Sequence, residues 1–115
     1  MNDLVAGDVV MVDLGLPMGS EAGYVRPAVV VSASGILRRD LATLFIVPCT
    51  TTRRRVASHV ELAPDSLNGL DAPTWAQVEH LRSVARTRCV QRRGHIGVVA
   101  LEQIREIAGL LLDIR

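Results

Sequence analysis

The chain has no lysine; all 13 of its basic residues are arginine. Aromatic side chains are nearly as scarce, with Tyr24, Phe45 and Trp75 standing alone, which argues against a platform that stacks several bases in succession. The two cysteines, Cys49 and Cys89, have neither the paired spacing of a zinc site nor the framework of a secreted disulfide protein, and they read as buried thiols. There is no His-x-x-x-His, Cys-x-x-Cys or carboxylate cluster to hold a metal, and no glycine pattern to cradle a nucleotide. No cofactor is expected. No apolar run reaches the length of a membrane helix, and Met1-Asn2-Asp3 is too polar to open a signal peptide. The expectation is a soluble, cytoplasmic product with no membrane partner.

What is present suits one domain over residues 1–115, with 49% hydrophobic residues and a single core. A net charge of +1 does not mark a strongly basic nucleic-acid binder. Its distribution is more telling. Residues 1–50 carry three Arg against five carboxylates, whereas residues 51–95 carry eight Arg against four. Such a basic stretch suits a local groove that tracks phosphates; the alternative is a solvated face of an Arg-rich protein.

Apolar periodicity predicts strands over 8–14, 27–32, 41–48 with Pro48 as the stop, 56–62, 75–84 and 92–98. A turn or short helix is expected at 34–40, a helical turn within 85–91, and a surface loop at 63–73. Leu101, Ile104, Ile107, Ala108, Leu111 and Ile114 recur at three- and four-residue intervals and predict a helix over 100–114. Leu110 and Leu112 widen its apolar face, for a subunit contact or a thick core. Together these elements predict a mainly β, barrel-like fold with a C-terminal α-helix.

The chain turns on residues 15–31. Pro17, Gly19 and Gly23 punctuate a mobile loop that leads into Val29, Val30 and Val31, a buried strand. Arg26 lies where the loop enters the sheet, and Pro27 biases it toward extended backbone. Its fork of donors there can hold a phosphate or pair with Glu21 to close the loop. A second cluster, Thr50, Thr51 and Thr52 followed by Arg53, Arg54 and Arg55, leaves the third strand. If the second and third strands are neighbours, Arg26 and Thr50 face each other at one end. Arginine, hydroxyls and one carboxylate can stabilise charge growing on a phosphate without a metal, and RNA brings its own nucleophile in the 2′-hydroxyl. Cys49 lacks a nearby His and reads as core rather than nucleophile. His59, His80 and His95 are isolated and read as ordinary strand positions facing solvent.

These stretches resemble the MazF/PemK (Kid) type II toxins. Gly7-Asp8-Val9-Val10, Val12-Asp13-Leu14, Gly19-Ser20-Glu21 and Arg26-Pro27-Ala28-Val29-Val30-Val31-Ser32 look like that family's start. Val47-Pro48-Cys49-Thr50-Thr51, Gln77 to Val84, and Ile96-Gly97 before the helix match its later segments in order and spacing. The resemblance implies an SH3-like barrel of the MazF/PemK/CcdB type that forms a homodimer. It also implies a ribosome-independent, metal-independent endoribonuclease that cuts single-stranded RNA to leave a cyclic phosphate and a 5′-hydroxyl. A cognate MazE-like antitoxin would cover the groove with an acidic, disordered C-terminal segment. By position, the catalytic Arg falls on Arg26 and the catalytic Thr on Thr50, with Ser20 and Glu21 in the gating loop. Thr51, Thr52, Arg53, Arg54, Gln77 and Arg82 complete the expected substrate-binding set. Ala22 stands where many members carry Gln, Val25 where some carry His, and Met11 where an aromatic is common; these departures bear on base preference. A gyrase-binding toxin of the CcdB type, or a binding module without activity, shares the fold; Arg26, Thr50 and the Gly19-Ser20-Glu21 loop together favour the nuclease.

Overall fold

Seven strands and two helices account for about half of the chain in a computed structural model that describes residues 3–39 and 41–114. In order they are β1 (Asp8–Asp13), β2 (Val25–Val30), α1 (Ser34–Leu37), β3 (Thr43–Thr50), β4 (His59–Leu62), β5 (Thr74–Gln77), β6 (Arg82–Ala85), β7 (Cys89–His95) and α2 (Val98–Leu111). Every pairing is antiparallel. The ladder runs β4-β5-β3-β2-β1-β7, and β6 also pairs with β3. Among the described residues β4 and β7 pair no further, so the sheet remains open rather than closing into a full barrel.

Alternation along the strands separates two cores. On one face Val10 and Val12, Ala28 and Val30, Leu44 and Ile46, Val84 and Cys89 pack together, plugged by Leu4, Leu14, Ala22 and Leu37. On the other, Val29, Val47, Cys49, Val60, Leu62, Ala76 and Val78 lie under α2, which drives the fully buried Ile104 into them. Burying one such side chain contributes about 1.5–3 kcal/mol.

Four sequence expectations are corrected. Pro48 does not stop β3 but lies inside it, level with Ala28. The backbone of Phe45 faces β2, accepting from Val31 N at 3.0 Å and donating to Ser32 Oγ at 2.8 Å. By alternation Val47 also faces β2, and Pro48 faces the opposite edge. There β6 pairs only as far as Ile46 and β5 begins at Cys49, so the missing N–H falls where no acceptor waits. The strand expected over 75–84 is two strands separated by a 3-10 turn, Val78–His80, which tucks Val78 into the core at 1% exposure. That jog moves the chain from the end of β3 to its first half, a tertiary demand with no local signal. Strand β7 begins at Cys89 rather than at residue 92, and α2 begins at Val98, straight after Gly97 at φ 86°.

The 63–73 connection is more organised than a plain surface loop. Asn68 is 3% exposed; its Oδ1 accepts from Leu70 N at 3.0 Å and its Nδ2 donates to Ala63 O at 2.8 Å. Gly69, at φ +67°, presses against the Arg93 carbonyl where any Cβ would collide.

Candidate active site

Strand register brings the expected pair together. β2 and β3 are matched Val30 to Ile46, Val29 to Val47 and Ala28 to Pro48. Two residues further on, the same register sets Arg26 level with Thr50. Thr50 is in turn opposite Trp75, and Trp75 opposite Glu61. Arg26, Thr50, Trp75 and Glu61 therefore form one row across four strands. Their strand neighbours Cys49, Ala76, Val60 and Leu62 face α2, so this row lies on the face that α2 leaves uncovered. The adjacent row holds Ala28, Pro48, Gln77 and His59, the last two directly paired.

Arg26 is half-buried, and its Nε donates to Gly23 O at 2.8 Å. It makes no ion pair with Glu21. Instead Glu21 closes its own turn, with Oε1 accepting from Met18 N at 3.1 Å and its amide donating to Met18 O at 3.1 Å. The loop thus holds itself, and among the described residues the two terminal nitrogens of Arg26 have no partner. Thr50 Oγ1 accepts from Thr52 N at 3.1 Å, which leaves its hydroxyl proton available to donate. The site therefore offers a fixed guanidinium fork beside a hydroxyl donor, an arrangement suited to an anion.

The other expected residues are dispersed around this pair. Ser20 is exposed in the β1–β2 turn. Thr51 points the other way and helps line a small cavity of about 190 Å³ with Met11, Pro27 and Leu70. Thr52, Arg53 and Arg54 lie in the exposed, irregular segment after β3. Gln77 is 3% exposed, and its Oε1 has no partner among the described residues. Arg82 lines a polar cavity of about 470 Å³ with Glu21, Pro48, Glu79 and His80. Cys49 is core, as expected: burial pushes its thiol up to about 12, against a weaker downward pull from Arg26. A thiol held protonated is a poor nucleophile.

The structure corrects the histidine reading. The His59 side chain is only 3% exposed, and its Nε2 donates to Glu79 Oε2 at 2.8 Å. Glu79 Oε1 accepts from Ser58 Oγ at 2.8 Å, and His80 Nε2 lies 3.9 Å from Oε2. Partial burial raises the Glu79 carboxyl, but the Ser58 hydroxyl, its own backbone and His59 together hold it below the ordinary value. His95 is half-buried too: its Nδ1 accepts from Gly97 N at 2.9 Å, so Nε2 carries the proton and donates to Ala6 O at 2.8 Å. Ser58 and Glu79 are 21 residues apart, and nothing local in the sequence pairs them. Among the described residues no three His, Cys, Asp or Glu side chains gather as metal ligands would.

The sequence from residue 6 to 112 matches the model of the PemK-like, MazF-like toxins of type II toxin-antitoxin systems. The chain belongs to that family. It is 33% identical over 112 residues to Endoribonuclease MazF9 of Mycobacterium tuberculosis (strain ATCC 25618 / H37Rv), spanning 94% of this chain and 95% of that one. Among solved structures, MazF from Deinococcus radiodurans superposes with a TM-score of 0.82 at 25% identity, over 96% of this chain and 97% of that one. A mycobacterial endoribonuclease in complex with its cognate antitoxin shares the fold, with a TM-score of 0.78 at 19% identity over 98% of each chain. The mainly β architecture with a C-terminal helix is thus a MazF-type fold.

Proposed function

We propose that this MazF-family chain is a metal-independent, ribosome-independent endoribonuclease that cuts single-stranded RNA at short sequences. The 2′-hydroxyl attacks the adjacent phosphorus; the new O2′–P bond forms as the P–O5′ bond breaks. The 2′-hydroxyl loses its proton and the departing 5′-oxygen gains one, leaving a 2′,3′-cyclic phosphate and a 5′-hydroxyl. Arg26 and Thr50 are the catalytic pair. The two unpartnered nitrogens of Arg26 bind the non-bridging oxygens, where charge grows most in the transition state, and the Thr50 hydroxyl donates to the same group. The observation that carries this reading is the shared row of Arg26 and Thr50 on the uncovered face, with the guanidinium fork unpaired.

Gln77, with its unpartnered buried carbonyl, and Arg82 border the row as substrate contacts. Ser20 and Glu21 gate it. Thr51, Thr52, Arg53 and Arg54 extend the path for the RNA backbone beyond β3. The same basic path suits a cognate MazE-like antitoxin with an acidic C-terminal segment, and a MazE-MazF assembly is known for the Deinococcus radiodurans protein. A homodimer is supported by an apolar cavity of about 450 Å³ between β3, α1 and α2, lined by Ile36, Phe45, Leu81 and Leu112. Leu110, Leu111 and Ile114 stand exposed beside it. Among the described residues no helix is long and apolar enough to cross a membrane, and action on cellular RNA implies the cytoplasm.

The test uses purified protein, a long single-stranded RNA and EDTA, with Arg26→Ala alongside. Discrete cuts bearing cyclic phosphate ends, lost in the variant, are expected. Wild-type protein that is folded yet leaves the RNA intact would overturn the nuclease and direct attention to a target-binding toxin.

A further inference from the structure

The polar cavity of about 470 Å³ lies between the β1–β2 loop and the chain from Glu79 to Ser83, with Pro48 as its floor. Pro48 is two residues along β3 from Thr50, on the same face, a step of about 7 Å. A nucleotide whose phosphate sits at Arg26 and Thr50 can therefore set its base into this cavity. Glu79, whose side chain is 35% exposed, lines it and is held unusually firmly. Ser58 fixes one carboxylate oxygen and His59 the other, each at 2.8 Å. With Nε2 committed to Glu79, the His59 ring keeps a buried Nδ1 that has no partner among the described residues. The fold thus tolerates an unpaired buried nitrogen and keeps the carboxylate fixed.

An ionised carboxylate offers acceptors only. Of the four bases, guanine alone presents two adjacent donors, N1–H and N2–H₂, on its Watson–Crick edge. Adenine and cytosine set one donor beside an acceptor, and uracil sets one donor between two acceptors. Guanine's remaining group on that edge, O6, needs a donor. Arg82 lines the same cavity, is exposed, and among the described residues makes only a 3.5 Å contact from Nε to Ser83 O. Glu21 also lines the cavity, but from the exposed β1–β2 loop, whereas each Glu79 oxygen is fixed by one hydrogen bond and keeps a lone pair to accept another.

We infer that this cavity reads one unpaired guanine next to the phosphate site, with Glu79 as the specificity-determining residue for N1–H and N2–H₂ and Arg82 as the donor to O6. Single-stranded RNA exposes that edge. The proximity to a scissile phosphate rests on the nuclease reading above; the guanine site itself does not.

The experiment measures binding, so that it survives a failure of cleavage. The probes are fluorescent 2′-O-methyl uridine heptamers carrying one central guanosine or one central inosine, which lacks only the N2 amino group. Wild type should prefer guanosine about tenfold or more, as loss of one hydrogen bond to a charged group implies. Glu79→Gln should weaken guanosine more than inosine, which keeps the N1–H contact, and so reduce that preference below about threefold. Arg82→Ala should weaken both heptamers and leave their ratio intact. Ser58→Ala, which keeps the carboxylate but frees one oxygen, should lose part of the preference while the thermal midpoint shows the protein folded. Equal binding of the two probes by wild type, or binding of neither, overturns the inference. So does a Glu79→Gln variant that loses affinity for both equally, since that is the signature of a structural strut. Guanosine preference without any RNA cleavage would overturn the nuclease and uphold the guanine site.

Discussion

Replacing Arg26 with lysine keeps the charge and removes the fork, and so isolates what the geometry contributes. The guanidinium uses Nε to grip Gly23 O at 2.8 Å, which leaves both terminal nitrogens for a phosphate. A single ammonium cannot hold the loop carbonyl and still present two aligned donors. The variant should therefore lose one to two charge-assisted hydrogen bonds at the reacting phosphate, each worth about 1.5–3 kcal/mol. A net loss of about 2–4 kcal/mol corresponds to a fall in kcat/KM of about 30- to 1,000-fold. Stability should change little, because one half-buried hydrogen bond is worth about 1 kcal/mol. The assay is single-turnover cleavage of one mapped RNA site, with urea unfolding of both proteins as the control. Because the charge is retained, the salt dependence of binding should be the same for both. Activity of Arg26→Lys within threefold of wild type would refute the argument, since charge alone would then suffice.

Two further outcomes test the surroundings. Arg54→Ala should flatten the slope of log affinity for single-stranded RNA against log salt by about 0.7, one phosphate contact; an unchanged slope makes Arg53 to Arg55 a solvated face. Ile104→Ala should cost about 2–5 kcal/mol in urea unfolding, because that side chain is fully buried between α2 and the sheet. A loss under 1 kcal/mol would mean that α2 does not organise this core.

The sequence made part of this legible, for reasons that differ from element to element. Strands β1 and β2 were readable because Val10, Val12, Ala28 and Val30 alternate cleanly against one core. α2 was readable because its apolar stripe has a helical period. The Arg26–Thr50 pairing needed only one assumption, that β2 and β3 are neighbours, and the register supplies it. The break at Val78–His80 was not readable, because the alternation of Val78, His80 and Arg82 looks like strand; the 3-10 turn exists to let one chain serve two stretches of the same β3 edge. Pro48 misled for a related reason. Proline marks a strand end only where its N–H would be needed, and the gap between β5 and β6 removes that need. The Ser58–His59–Glu79 cluster left no trace in the sequence, since it joins β4 to a turn 20 residues away and depends on the very break that periodicity missed.

The two-faced sheet also explains where the proposed site sits. Both faces of β2 and β3 are apolar along most of their length: Ala28, Val30 and Ile46 enter one core, Val29 and Val47 the other. At the β2 entrance and the β3 exit the first core ends, while the second continues under α2 through Cys49, Ala76 and Val60. Arg26, level with the buried Val12, and Thr50 are half-buried and sit on that face where the first core gives way to loop. They are carried on strands that remain rigid because their opposite side is still packed. A polar pair on such a rim is fixed by the buried face and open to solvent on the other, which is what a preorganised anion site requires. Small residues on the packed side could then change without moving the pair, whereas loss of the packing under β3 would loosen Thr50 before it unfolded the sheet.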